Sequence, residues 1–145
     1  MRSLVELLDE SAIRLDAVAT SREGAIRQAG ALLVDSGAVE PGYVDAMIER
    51  DYSVSTYVGE GVAVPHGTLE SKQTVAHDAL CLLRFAHPVD WNGDEVTIVI
   101  GIAARGRGYI GLLSRLAAIL LDPENAQALR RATTSAEVYA ILGDQ

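Results

Sequence analysis

The sequence predicts an α/β fold in which helices cover a central sheet. Three observations carry this. Capped segments with helical apolar spacing open the chain, short contiguous apolar runs fill its middle, and helical spacing returns after residue 108.

Ser3 with Glu6 has the spacing of a capping box before Leu4, Leu7 and Leu8, and "IRLD" after it fits a short strand. Thr20 with Glu23 repeats the box, and Ile26, Ala29 and Leu33 form an apolar stripe that runs until Gly37. Pro41 suits the first turn of a third helix carrying Val44, Met47 and Ile48, with Arg50 near its end. Then the period changes. "VAV" at 62–64, "DALCLLRF" at 78–85 and "VTIVIGIA" at 96–103 lack the alternation of a half-exposed sheet and read as interior strands covered on both faces. After Gly108, Tyr109, Leu112, Leu113, Leu116 and Leu120 fall on helical spacing. Asp122–Pro123 starts another helix, and Thr134 with Glu137 caps a last one.

The 145 residues fit one domain spanning 1–145, with 49% hydrophobic and 22% charged residues in a globular balance. No apolar run approaches the roughly 20 residues that span a bilayer, and the N-terminus reads as no signal peptide. The single cysteine, Cys81, cannot form an internal disulfide, so a reducing, cytoplasmic setting is expected. Twelve basic against twenty acidic residues give a net charge of −8. That argues against nucleic acid or an anionic membrane as partner and favours basic protein surfaces.

The chemistry concentrates in "GEGVAVPHGT", residues 59–68. Here an apolar strand ends at Pro65 and sets His66 between a proline and a glycine. A histidine in such a turn is by itself an ordinary loop residue. Gly59, Gly61 and Gly67 would let backbone N–H groups approach an anion, and Pro65 would fix the approach to the ring. A neutral imidazole, with a reference pKa of about 6.5, is a competent nucleophile toward phosphorus. Phosphoryl transfer needs cations or donors aimed at the equatorial oxygens. Arg50, Arg105, Arg107 and the helix start at Tyr109 are the candidates.

"YVDAMIERDYSVSTYVGEGVAVPHGTLESK" followed by "VIGIAARGRGYIGLLSRLAAIL" resembles the enzyme IIA domain of the mannitol/fructose class, part of the phosphoenolpyruvate-dependent sugar phosphotransferase system. The resemblance implies a central mixed β-sheet covered by helices on both faces. It also implies a phosphoryl relay in which His66 accepts phosphate from the carrier HPr and passes it to a cysteine of a IIB domain. IIB in turn charges sugar entering through a membrane IIC domain. Arg50 matches the family's phosphate-contacting arginine. At the start of the helix after "GIAAR", where mannitol-type members usually carry a second histidine, this chain has Tyr109. A phenol can donate a hydrogen bond but is no cation at neutral pH, so Tyr109 either contacts the phosphoryl group or only packs.

Other signals are set aside. His77 and His87 have no partners at metal-site spacing, and "GEG" lacks the remainder of a nucleotide motif, so neither metal nor cofactor is expected. Cys81 reads as inert core. Two functions fit: a phosphocarrier feeding sugar uptake, mannitol-like by resemblance, or a nitrogen-related regulatory phosphoprotein acting by binding a regulator.

Overall fold

The protein's structure, a computed structural model, describes residues 3–143, with backbone only at Lys72; the two ends of the predicted 1–145 span lie outside these residues. Along the chain run α1 (Leu4–Leu7), β1 (Leu8–Ala17), α2 (Arg22–Asp35), α3 (Tyr43–Ser53), β2 (Tyr57–Gly59), β3 (Val62–Ala63), a 3-10 turn (Glu70–Thr74), β4 (Ala79–Trp91), β5 (Asp94–Ala103), α4 (Gly108–Leu120), α5 (Pro123–Arg131) and α6 (Ser135–Gly143). The strands form one mixed sheet in the order β1-β4-β5-β3-β2. β1 runs parallel to β4 and β3 parallel to β5, while β4–β5 and β2–β3 are antiparallel hairpins.

The caps act close to where the sequence puts them. Ser3 and Glu6 form a reciprocal capping box, yet α1 lasts a single turn and Leu8 already begins the strand. β1 is therefore ten residues rather than the four of "IRLD". As an edge strand it carries Asp9, Glu10 and Ser11 exposed, which hides it from a periodicity test. Ser21 rather than Thr20 caps α2, accepting from the Gly24 N–H at 3.0 Å. Pro41 lies just before Gly42, the N-cap of α3. The expected "VAV" strand is paired as strand only at Val62–Ala63.

β4 is longer than "DALCLLRF", because His87 and Pro88 lie inside it rather than in a loop. The register shifts between Arg84 and Val89, and such an irregularity is where a ladder tolerates proline. Asn92 and Gly93, at φ 56° and 103°, make the tight turn into β5.

α2 lies on one face of the sheet. A Cβ at Gly101 would run into Cys81 Sγ at 2.7 Å and Ala29 Cβ at 3.3 Å, so the helix sits close over this point. The other face meets α5, where the Arg84 guanidinium reaches the carbonyls of Arg130 and Ala132. Cys81 is fully buried, its thiol donates to the Ala29 carbonyl at 3.3 Å, and burial pushes its pKa up to about 12. Among the described residues, no helix is long and apolar enough to cross a membrane.

Candidate functional site

β3 does not stop where its ladder ends. The Val64 N–H donates to the Thr56 carbonyl at 3.0 Å, the Pro65 carbonyl accepts from the Ile102 N–H at 2.9 Å, and His66 pairs in parallel with Ile102. The segment thus carries its extended course along β5 to the rim of the sheet and delivers the histidine there. Pro65 suits this position, since its fixed φ is compatible with extended backbone.

The His66 ring then folds back on its own strand. Nδ1 lies 2.9 Å from the Val64 carbonyl oxygen. A carbonyl can only accept, so Nδ1 carries the proton and the lone pair of the neutral ring resides on Nε2. His66 is 3% exposed, more deeply set than a turn position suggests. The Tyr109 ring stacks on it, with centroids 5.3 Å apart and planes 24° apart.

Both rings line a cavity of about 260 Å³ whose other walls are Arg50, Gly67, Thr68, Leu69 and Glu70. Arg50 enters from the last turn of α3, where Nη1 donates to the Val54 carbonyl at 2.7 Å. That bond fixes the side chain at the cavity wall, and a guanidinium carries further N–H donors. The sequence-predicted trio of His66, Arg50 and Tyr109 is therefore brought together. Arg105 and Arg107 are not part of this wall; both are exposed, and the Arg105 N–H donates to Asp78 Oδ1 at 2.9 Å.

The glycines divide. Gly59 and Gly61, at φ 113° and 76°, form the β2–β3 turn with Glu60 and face Leu121, Thr97 and Arg130 rather than the cavity. Their role is the turn, not an anion cradle. Gly67 does line the site, and a Cβ there would meet the Tyr43 ring at 2.5 Å.

Three cavity or support residues escaped the sequence reading. Thr68 and Glu70 both line the cavity, and the Thr68 hydroxyl oxygen accepts from the Ser71 N–H at 3.3 Å. Tyr43, fully buried at the start of α3, accepts from the Gly67 N–H and donates to the Ile102 carbonyl, both at 2.9 Å. Burial raises its pKa, the Gly67 bond opposing this only in part, so it remains a phenol. It clamps the turn behind the histidine to the end of β5. No local signal announces a clamp whose two ends lie 24 and 59 residues away. Among the described residues, no group of His, Cys, Asp and Glu is placed to hold a metal ion.

The family described as "Phosphoenolpyruvate-dependent sugar phosphotransferase system, EIIA 2" matches residues 6–145. The chain belongs to this EIIA 2 family. A relative from Halalkalibacterium halodurans, named mannitol-specific phosphotransferase enzyme IIA component, is 45% identical over 138 residues, covering 95% of each chain. Among solved structures, the Escherichia coli enzyme IIA(Mtl), determined in complex with phosphorylated enzyme IIB(Mtl), aligns with a TM-score of 0.88 at 34% identity. The match covers 96% of this chain and 100% of that one. The nitrogen regulatory protein IIA-Ntr from Neisseria meningitidis aligns with a TM-score of 0.84 at 27% identity, covering 97% and 99%. The mixed sheet with helices is thus the fold of EIIA 2 members, as the sequence led one to expect.

Proposed function

We propose that this chain is the IIA phosphocarrier of a mannitol-type sugar phosphotransferase system, with Nε2 of His66 as the relay atom. One observation carries the assignment to that atom. The Val64 carbonyl accepts a hydrogen bond from the Nδ1–H, which places the lone pair on Nε2 of a ring that shares its cavity with Arg50.

Nε2 attacks the phosphorus held on the phosphohistidine of HPr. The new P–Nε2 bond forms as the old P–N bond breaks, and its electron pair returns to the HPr imidazole. His66, still protonated at Nδ1, becomes a phosphorylated imidazolium whose charge strengthens the bond to the Val64 carbonyl. Arg50, with N–H donors beyond the one given to Val54, faces the equatorial oxygens, and the Thr68 hydroxyl adds a neutral donor. In the second transfer a IIB cysteine thiolate attacks phosphorus. The P–Nε2 bond breaks, and the pair it returns makes the ring neutral again.

The mannitol assignment is supported by the name of the 45%-identical relative, and the IIB partner by the E. coli complex. The regulatory reading is less favoured, since the nitrogen-regulatory protein is similar at only 27%. HPr as donor, a membrane IIC downstream, a cytoplasmic setting and a single IIA unit over 1–145 complete the proposal.

Incubation with phosphorylated HPr should add one phosphoryl mass to the protein, mapped to His66 and absent in His66→Ala. The phospho-form should then charge a mannitol IIB. Phosphate on another residue removes His66 from the role, and a phospho-form that charges no IIB returns the regulatory reading.

A further inference from the structure

Among the described residues, three polar or charged side chains are buried: Asp51, Thr56 and His66. The relay uses only the last. Asp51 is 1% exposed, directly follows Arg50, and gathers donors from three parts of the fold. Its Oδ1 accepts from the Thr56 N–H at 3.0 Å, from the Thr56 hydroxyl, and from the Trp91 indole N–H at 3.0 Å. Arg22 Nε lies 3.1 Å from Oδ2, as an ion pair outside hydrogen-bond alignment.

Two routes lead from this carboxylate to the reacting groups. Thr56, held at both its N–H and its hydroxyl, offers its carbonyl to the Val64 N–H at 3.0 Å. Val64 in turn offers its carbonyl to Nδ1 of His66. Arg50 is held by the carbonyl of Val54, within the short 54–56 segment that Asp51 anchors. One buried carboxylate therefore fixes the acceptor that selects the histidine tautomer and the acceptor that aims the arginine.

We propose that Asp51 is the positioning residue of the relay. It acts through Thr56 and the 54–56 segment to hold His66 with Nδ1 protonated and Arg50 turned toward the same cavity. This rests on the reading of His66 and Arg50 given above. Asp51 touches no transferred group, so its removal should change chemistry at fixed docking rather than docking itself.

The test compares Asp51→Ala and Asp51→Asn, each verified as folded, by two readouts. The first is the ¹⁵N signature of the His66 ring in the unphosphorylated protein, which reports the tautomer independently of any transfer. The second is the rate of transfer from phosphorylated HPr, resolved into kcat and KM. Asp51→Ala should mix the tautomers and lower kcat by up to about 100-fold, with KM nearly unchanged, since misplacement by about 1 Å has effects of that size. Asp51→Asn keeps an Oδ1 acceptor and should recover the tautomer and most of the rate. Should Asp51→Ala not fold, Thr56→Val decides, and is expected to shift the tautomer and slow transfer in the same sense.

An Asp51→Ala protein, or failing that a Thr56→Val protein, with the native tautomer and native kcat overturns the proposal. So does a loss confined to KM. If instead His66→Ala still takes up phosphate, the relay reading fails while the tautomer measurement still judges whether Asp51 orders the ring.

Discussion

Tyr109 opens α4, and its ring stacks on His66. The stack is held by shape and dispersion, which phenylalanine also supplies, so Tyr109→Phe should keep the histidine covered. Tyr109→Ala should expose it and destabilise the fold by about 1 kcal/mol, the worth of an aromatic pair beyond area alone. Carbethoxylation by diethyl pyrocarbonate, mapped by mass, checks this: His66 should react faster in Tyr109→Ala than in Tyr109→Phe, with exposed His77 and His87 as internal references. At this scale the sequence was informative where chemistry is local. A histidine between proline and glycine, an arginine ending a helix and an aromatic opening the next could each be picked out. Tyr43, Thr68 and Asp51 could not, because what they do depends on residues brought near only by folding.

Among the elements, α5 depends on a cation from the sheet. Arg84 rises from β4, gives Nε and Nη2 to the Leu15 carbonyl at 3.1 and 2.9 Å, and gives Nη1 to the carbonyls of Arg130 and Ala132. It joins β1, β4 and the C-terminal end of α5, where the helix dipole is negative. Arg84→Met should cost about 2–4 kcal/mol in urea unfolding, because several partly buried carbonyls lose a charged donor at once. Arg84→Lys should recover only part of this, since an ammonium cannot span them as a planar fork does.

Capping pairs, a loop proline and contiguous apolar runs made the helices and inner strands legible before folding. Edge strand β1 and the far half of β4 were not. Their exposed acids, His87 and Pro88 fall where the register shifts, and these strands are continuous only because regular pairing holds on either side.

Over the whole molecule, burial of weak acids gives folding a pH dependence on the alkaline side. Cys81 is raised to about 12 and Tyr43 is raised as well, both chiefly by desolvation. In the unfolded chain the thiol titrates near its ordinary value, so above that pH the unfolded state binds fewer protons than the folded one. The stabilisation is complete below the ordinary thiol range and is lost as pH rises toward 12. Between these limits the thiol alone should lower stability by about 1.4 kcal/mol per pH unit. Urea unfolding across that window should show the slope, and Cys81→Ala should flatten it, leaving the contributions of Tyr43 and Tyr139, whose phenols are also raised. A slope unchanged by Cys81→Ala would mean that other groups govern alkaline unfolding.

His66 shares backbone pairing with Ile102, on the strand running through the middle of the sheet. A nucleophile mounted in this way has no hinge of its own. Donor and acceptor must each bring phosphorus to a ring whose backbone is fixed, and the adjustments left to this chain are those of side chains such as the stacked Tyr109. Because Nε2 lies buried, each handover begins with those side chains parting, while the strand that carries the ring presents the same rim of the sheet to two unlike partners in succession.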